Sequence, residues 1–303
     1  MNKTLVPGVL ALAVLLAAPL PVPAQDLSQD PVWQPFRGYD VPYVPTPPEV
    51  VDEMLRLAGV RNGDVLYDLG CGDGRIVIAA AKKFGVKAIG IDIDPVRIGE
   101  SKENAAQAGL AGKVRFVQQD LFEAEFKDAT VITMYLLTSV NLRLRPRLLS
   151  DLRPGTRLVS HSFEMGEWRP DKTSVVTTTF GDERDVHFWV VPANVTGRWE
   201  WDVPGGTGPK HYTFEAGQEF QVVTATVKEG DWPVSISDVK LVGDALSFRL
   251  ESEVDGKMVS SLYEGKVAGD KIAGSIRTAG DPKAAGIAWK ASRDPKTVQP
   301  IAK

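Results

Sequence analysis

The sequence predicts an α/β domain built on a doubly wound, mainly parallel sheet, followed by an antiparallel all-β domain that is a barrel or a sandwich. Up to residue 192, short apolar segments alternate with helical segments, which is the pattern of βαβ units. Beyond residue 192 the helical periodicity disappears, and short strand-like segments follow one another with turn residues between them. A chain of 303 residues is long enough for two such domains.

The first 24 residues have the composition of a secretory signal peptide. Lys3 is the only charged residue before Asp26, and residues 5–20 are almost entirely apolar. Val22 and Ala24 occupy the −3 and −1 positions of a cleavage site. We expect cleavage after Ala24 and a periplasmic or secreted protein with no stable membrane span. An uncleaved N-terminal membrane anchor is the alternative, although the apolar run is shorter than the roughly 20 residues of a spanning helix.

Residues 25–48 form a proline-rich arm that precedes the first helix. Repeated proline disfavours both a regular helix and a central strand, so we expect an extended segment. Thr46 precedes two prolines, and Glu49 lies three residues beyond it, which is the spacing of a capping box. The helix is expected to run from Glu49 to about Leu57.

The alternation that follows gives five parallel strands, the helices between them, and a final antiparallel pair. Pro95 begins the third helix, and Pro146 is expected to interrupt or kink the fourth. The predicted strands are 64–70, 87–94, 114–120, 129–137 and 156–163, with the pair in 174–192.

The domain boundary is predicted near residue 193, which gives four segments. These are the signal peptide 1–24, the arm 25–48, the α/β domain 49–192 and the β domain 193–303. The β domain opens with Gly197-Arg198-Trp199 and ends with Trp289 and Arg293, a faint resemblance to lipocalin-like barrels. Trp199 and Trp289 either close one end of a barrel or are ordinary core residues.

Charge and cysteine content exclude several classes of site. The formal net charge is −4 and no basic tract is present, so we expect no nucleic-acid partner. Cys71 is the single cysteine and therefore forms no intrachain disulfide. With three histidines in the chain, no metal site is indicated by spacing.

A glycine-rich loop follows the first predicted strand, in the segment Asp68-Leu69-Gly70-Cys71-Gly72-Asp73-Gly74. Gly70 and Gly72 allow close backbone approach to a ligand, and Gly74 allows the turn into the next helix. The pattern G-x-G-x-G differs from the dinucleotide pattern G-x-G-x-x-G. The acid two residues before the first glycine would repel a pyrophosphate and suits a ligand that carries an amine.

Acids also end the next two strands. Asp92 follows Gly90-Ile91 and can accept two hydrogen bonds from a ribose diol, while Asp120 can accept from an adenine amino group. Ligands of open parallel sheets bind beyond the carboxyl ends of the strands, where these acids meet. An amino-acid end, a ribose and an adenine together describe S-adenosylmethionine.

The segments DLGCGDGR, GIDIDP and QQD resemble the cofactor motifs of class I methyltransferases, which have a Rossmann-like fold. The segments YVPTPPEVVDEMLRLAGV and DLGCGDGRIVIAAA are similar to a small family that includes protein-lysine methyltransferases acting on the ATP synthase c-ring. The resemblance implies that the arm covers the cofactor. The cofactor-binding residues it implies are Tyr43, Thr46, Asp68, Gly70, Cys71, Gly72, Gly74, Asp92, Ile93, Asp120 and Leu121.

The methyl acceptor is indicated less clearly, because this chain departs from the family by its signal peptide and its β domain. We expect a protein, most of all a lysine side chain, or a small molecule. The catalytic residue is unknown from sequence. The candidates are Tyr135, Asn141 and His161, although Tyr135 is equally expected as a core aromatic and His161 more often as a structural histidine. The alternative function is an exported binding protein that retains the fold without turnover.

Overall fold

The computed structural model describes residues 40–204, 208–254, 257–278 and 286–301. The predicted signal peptide and the first part of the arm lie outside these residues. The elements of the first domain are α1 (Pro48–Leu57), β1 (Val65–Leu69), α2 (Arg75–Phe84), β2 (Lys87–Asp92), α3 (Pro95–Gln107), β3 (Val114–Gln118), β4 (Val131–Met134), α4 (Thr138–Asp151), β5 (Arg157–His161), β6 (Lys172–Thr177) and β7 (Glu183–Val190).

These strands form one sheet in the order β3-β2-β1-β4-β5-β7-β6. The pairs from β3 to β5 are parallel, and β7 runs antiparallel to both β5 and β6. The predicted mainly parallel sheet with a final antiparallel pair is therefore confirmed. The chain moves outward from β1 to β3 and then returns to β4 on the other side of β1, so the strand order reverses between β1 and β4.

The sheet is buried because its central strands carry apolar residues on both faces. All four residues of β4 are buried, and α2 places Ile76, Val77 and Ala80 against the sheet. This i, i+1, i+4 set lies on one face of a helix with 3.6 residues per turn. Parallel strands covered on both faces are expected to show such continuous apolar runs.

The predicted capping box at the start of α1 is wrong. Pro47 occupies the N-cap position and makes no side-chain capping bond, so Thr46 lies one residue too early. The Glu49 carboxylate instead accepts a hydrogen bond from the backbone N–H of Thr179, at 2.6 Å, in the turn between β6 and β7. Both polar side chains of the pattern therefore serve long-range contacts.

Two other boundaries differ from prediction. The fourth helix, α4, continues through Pro146 and is not interrupted there. The strand predicted over 129–137 is shorter, because the chain leaves the sheet after Met134 and places Tyr135 beyond the strand end. No helix in the part of the chain that the structure describes is long and apolar enough to cross a bilayer.

The second domain is a closed antiparallel barrel of eight strands, which decides between the barrel and the sandwich. The strands are β8 (Gly197–Val203), β9 (Lys210–Glu219), β10 (Val222–Glu229), β11 (Trp232–Val242), β12 (Ala245–Val254), β13 (Lys257–Ala268), β14 (Lys271–Thr278) and β15 (Ile287–Arg293). Each pairs with its sequence neighbour, and β15 closes the barrel on β8. The predicted boundary near residue 193 lies in the connection between β7 and β8.

Aromatic side chains fill the barrel. Trp201 lies among Tyr212, Phe248, Tyr263 and Trp289, with ring centroids 5.4–6.2 Å away. Eight strands enclose an interior just wide enough for side chains to fill.

Trp199 and Trp289 do not close the barrel end as a pair. Trp289 lies in this central cluster, while Trp199 is covered by the Arg293 guanidinium, 4.8 Å from its ring centroid. Arg293 also donates to the carbonyl oxygens of Asn194 and Thr196, so it fixes the segment that enters the barrel.

The two domains touch backbone to backbone at a pair of glycines. Gly243, in the turn between β11 and β12, has a φ of +60°, and a Cβ there would lie 2.9 Å from the Cα of Gly155. Its carbonyl oxygen accepts a hydrogen bond from the N–H of Ala193 at 2.8 Å. A side chain at position 243 would therefore separate the barrel from the first domain.

We predict that Gly243→Ala destabilises the protein more than Gly269→Ala. Gly269 has nearly the same φ, +59°, but nothing lies within 4 Å of a Cβ built on it. Both variants meet the backbone cost of a left-handed residue, about 1–2 kcal/mol, and Gly243→Ala adds about 1–3 kcal/mol of overpacking. Urea unfolding of both variants measures the difference. Equal destabilisation would show that the two domains separate without cost.

Candidate active site

A cavity of about 270 Å³ lies at the carboxyl edge of the sheet, where the strand order reverses. Residues that follow β1, β2 and β4 line it, together with residues 40–46 of the arm. Open α/β sheets bind ligands at this switch point. The lining includes ten of the eleven residues expected to bind cofactor, namely Tyr43, Thr46, Asp68, Gly70, Cys71, Gly72, Asp92, Ile93, Asp120 and Leu121.

The remaining residue, Gly74, serves the fold behind the cavity. It begins α2 in a left-handed conformation, with φ +80°, and a Cβ there would lie 2.7 Å from the Phe116 ring and 2.9 Å from Ser101. Gly74 thus permits close packing of the helix start against β3 and α3.

The loop between β1 and α2 is held by the end of β2. The backbone N–H groups of Gly70 and Cys71 both donate to the carbonyl oxygen of Ile91, at 2.9 and 3.0 Å. The N–H of Gly72 donates to the Asp92 carboxylate at 2.8 Å. Asp92 therefore positions the glycine-rich loop besides facing the cavity, a contact that the spacing of the motifs did not reveal.

The close neighbours of the two loop glycines belong to the chain itself. A Cβ at Gly70 would lie 2.7 Å from Cδ2 of Leu136, and one at Gly72 would lie 2.6 Å from Cε2 of Tyr43. Both glycines also have positive φ, +77° and +53°. Glycine is required at position 72 because the Tyr43 ring of the arm lies directly against the backbone there.

Asp68 is the most deeply buried carboxylate of the cavity. It is 2% exposed, and its Oδ1 accepts a hydrogen bond from the Thr133 hydroxyl at 2.7 Å. Burial raises the pKa of Asp68 to about 7; the Thr133 hydrogen bond opposes this effect, while the nearby charges of Asp92 and Asp73 add to it. Such a site favours a ligand that brings positive charge.

The other two carboxylates have different environments. Asp92 accepts hydrogen bonds from the N–H groups of Gly72 and Asp94, at 2.8 and 2.9 Å, yet burial still raises its pKa. Burial also opposes ionisation of Asp73, but the hydrogen bonds and charge of Arg75 outweigh it and lower the pKa. Arg75 holds Asp73 through two of its nitrogen atoms, at 2.9 and 2.6 Å.

This arrangement fits S-adenosylmethionine. A carboxylate has about four acceptor positions, so Asp92 retains capacity for a ribose diol after two backbone bonds. Asp68 offers a buried negative charge to the cationic methionine end, and the apolar Ile93 and Leu121 lie on the wall that carries Asp120. Asp120 itself accepts a hydrogen bond from the N–H of Phe122 at 2.9 Å, which fixes its orientation.

The arm is held over the cavity by three kinds of contact. The Tyr43 ring lies between Gly72 and the guanidinium of Arg97, which is 4.3 Å from the ring centroid. Arg75 donates to the carbonyl oxygen of Thr46 at 2.8 Å, and the Thr46 hydroxyl lies 3.3 Å from Nδ1 of His161. Burial, and then the charge of Asp73, raises the pKa of Tyr43 to about 12, so its hydroxyl stays neutral.

Of the three catalytic candidates, only Tyr135 lines the cavity. Its ring stacks on His161, with centroids 3.7 Å apart, and lies 5.9 Å from that of Phe163. His161 is 1% exposed, and burial lowers its pKa to about 4; the charge of Arg184 adds to this and that of Asp182 opposes it. The suggested role of His161 as a base near neutral pH is therefore not supported.

Asn141 lies behind the cavity. Its side-chain amide donates to the carbonyl oxygens of Phe163 and Glu164, at 3.2 and 3.4 Å, so it holds the loop that follows β5. Sequence reasoning missed Arg75, Arg97, Thr133 and Leu136. Arg75 and Leu136 adjoin recognised motifs, whereas the pairing of Asp68 with Thr133 depends on the register between β1 and β4.

Comparisons with known proteins match the first domain. A family model described as the ANTKMT methyltransferase domain matches residues 68–172. A protein-lysine N-methyltransferase from Saccharolobus islandicus is 52% identical over 131 residues, which are 43% of this chain and 81% of that protein. A lysine N-methyltransferase of the ATP synthase c-ring protein, from Caenorhabditis elegans, is 30% identical over 169 residues, covering 54% and 82% of the two chains.

Other relatives match over a smaller share of their length. The corresponding lysine N-methyltransferase of Mus musculus is 32% identical over 139 residues, 46% of this chain and 56% of that enzyme. Among solved structures, an RNA methyltransferase from Salinibacter ruber in complex with S-adenosyl-L-homocysteine is 52% identical. That match covers 50% of this chain and 96% of that one, with a TM-score of 0.47.

The comparisons give no support to the alternative of a binding protein that has lost turnover. They agree with the cofactor expected from the three acidic strand ends. The chain is an S-adenosylmethionine-dependent methyltransferase and belongs to the protein-lysine N-methyltransferase family that the Saccharolobus islandicus relative represents.

Proposed function

We propose that this enzyme transfers a methyl group from S-adenosylmethionine to the side-chain nitrogen of a lysine in a protein. The observation that carries the proposal is the 52% identity to a protein-lysine N-methyltransferase over 81% of that protein. The cavity agrees with it, because its carboxylates suit a cationic cofactor and its open wall carries a neutral aromatic pair.

We assign the cofactor to the acidic side of the cavity. Asp68 would face the methionine end, Asp92 the ribose, and Asp120 with Ile93 and Leu121 the adenine. Tyr43 and Thr46 would cover the bound molecule and exclude water. When bound, S-adenosylmethionine supplies a methyl group activated on a sulfonium, and its leaving group is neutral.

The protein's own contribution is alignment and control of the acceptor's proton. A lysine ammonium must lose its proton before its nitrogen attacks, and its ordinary pKa is about 10.4. His161, with a pKa of about 4, is too weak a base to hold that proton. Tyr135 and His161 instead form a neutral aromatic wall that attracts a cation and also disfavours its charge by burial.

Proximity is then the main source of rate enhancement. Well-oriented reactants gain about 7–11 kcal/mol relative to the same groups free in solution. The contacts of Tyr43 and Thr46 across the cavity fix the covering arm, and the stack of Tyr135 on His161 fixes the acceptor wall.

We also propose that the enzyme acts after export. The support is the composition of residues 1–24, which has the charge, apolar run and cleavage-site pattern of a signal peptide. Its protein acceptor would then be periplasmic or exposed at the cell surface.

Cofactor affinity is predicted to rise with pH between 5.5 and 7. Below pH 7 the free enzyme holds Asp68 protonated, so binding of a cation requires loss of that proton. Affinity measured by calorimetry should change by up to about tenfold per pH unit, the limit for one linked proton. In Asp68→Asn the dependence on pH should disappear and affinity should be lower. A wild-type affinity that is constant over this range would contradict the assignment of Asp68.

The pKa of Asp68 also predicts how stability depends on pH. Its value is raised above the unfolded value of 3.8, so the folded state binds more protons between pH 4 and 7. The stability contribution of the protonated Asp68 is therefore lost as pH rises through 7. Thermal unfolding of the cofactor-free protein should show that Asp68→Asn is more stable relative to wild type at pH 8 than at pH 5.

Gly72→Ala is predicted to displace the arm. The added Cβ would lie 2.6 Å from the Tyr43 ring, so the ring must move. We expect cofactor affinity to fall at least about tenfold, a loss of about 1.4 kcal/mol, and chymotrypsin to cleave faster after Tyr43. Gly59→Ala is the control, because its φ of +57° is similar and no atom lies within 4 Å. Unchanged affinity and unchanged cleavage would show that the arm is only a linker.

The proposed reaction is tested with radiolabelled S-adenosylmethionine and a cell lysate as the source of acceptors. We expect label in protein, and mass spectrometry should place it on lysine. Asp92→Ala serves as the control, since loss of charged hydrogen bonds of about 1.5–3 kcal/mol each should weaken cofactor binding at least tenfold. Label found only in small molecules or nucleic acid would exclude the lysine proposal while leaving methyl transfer intact.

Export is tested separately by expression of the full chain in a Gram-negative host. N-terminal sequencing should find Gln25 as the first residue of a periplasmic protein. Soluble cytoplasmic protein that begins at Met1 would contradict export and would not affect the assignment of the reaction.

A further inference from the structure

The turn between β9 and β10 carries an unusual residue for its geometry. The two residues Phe220 and Gln221 join the strands, and Phe220 has a φ of +52°. Two-residue hairpin turns with a positive φ at the first central position favour glycine. A bulky residue in this conformation is a genuine outlier and directs attention to what its side chain contacts.

The Phe220 side chain is buried in the core of the first domain. It is 5% exposed and stacks on Trp168, with centroids 5.9 Å apart and planes 7° apart. The Arg145 guanidinium of α4 lies 5.2 Å from its ring centroid. Gln221 donates from its side chain to the carbonyl oxygen of Arg169 at 2.8 Å. The hairpin thus clasps residues 162–170, the loop that follows β5.

The same loop forms the wall of the active site at its other end. Arg145 donates to the carbonyl oxygen of Met165 at 2.8 Å, and Asn141 donates to that of Phe163 at 3.2 Å. Phe163 stacks against Tyr135, which lines the cavity. The barrel hairpin, the loop and the aromatic wall are therefore one continuous set of packed contacts.

We infer that Phe220 is a positioning residue for the methyl acceptor, acting through the loop 162–170 and Tyr135. The barrel thereby contributes to methyl transfer without touching the cofactor, whose carboxylates lie at the ends of β1 and β2. The inference rests on the proposed lysine methyl transfer. It predicts that loss of the Phe220 ring impairs use of the acceptor and leaves cofactor binding unchanged.

Phe220→Gly tests this in the full chain. Glycine suits the positive φ of the turn, so the hairpin itself should form at least as readily. With poly-L-lysine as the acceptor, kcat/KM for the acceptor should fall at least fivefold, while KM for S-adenosylmethionine stays unchanged. Phe220→Tyr keeps the ring and should restore activity. Trp232→Ala removes an exposed aromatic at the opposite end of the barrel and should change neither value.

Hydrogen–deuterium exchange provides a readout that needs no acceptor. Amides of residues 162–170 should exchange at least tenfold faster in Phe220→Gly, whereas those of the loop 70–74 should not change. Unchanged exchange at 162–170, or unchanged acceptor kinetics in the folded variant, would overturn the inference. If wild-type enzyme does not methylate poly-L-lysine, the lysine proposal is in doubt, and the exchange measurement alone decides whether Phe220 holds the loop.

Discussion

The burial of Asp68 at the end of β1 is the constraint around which the active site is organised. This carboxylate lies where the strand order reverses, with the Thr133 hydroxyl of the neighbouring strand as a hydrogen-bond donor. Burial without a paired cation in contact is unfavourable for its charged form. The fold thus maintains a site whose charge is balanced by a cationic ligand, and the cofactor of this family carries such a charge.

The remaining parts of the site follow from the same loop. Because β1 ends at a buried acid, the chain must turn sharply into α2, and the left-handed glycines at 70, 72 and 74 make that turn. The turn presents the N–H of Gly72 to Asp92 and the bare backbone of Gly72 to Tyr43. One tight loop therefore connects the second strand end, the covering arm and the start of the helix.

Sequence predicts most of the first domain because its information is local. Periodicity identifies the strands and helices, and the rule that parallel strands share a carboxyl edge brings Asp68, Asp92 and Asp120 together. Contacts that depend on register or on distant segments are not encoded locally. Thr46 fits a capping pattern by spacing, yet the prolines shift the helix start, and its hydroxyl lies against His161 at the end of β5. The pairing of Asp68 with Thr133 and the low pKa of His161 likewise arise only from packing.

The attachment of the barrel shows why the local turn rules fail at position 220. Hairpin propensity alone would place glycine there, and the barrel would close equally well with it. The residue present is one whose ring fills a space between Trp168 and Arg145 in the other domain. Local strain is retained where the surrounding structure over-determines it. The choice of phenylalanine is thus explained by the contact between domains and not by the barrel, so the β domain is a built-in part of the methyltransferase's acceptor side.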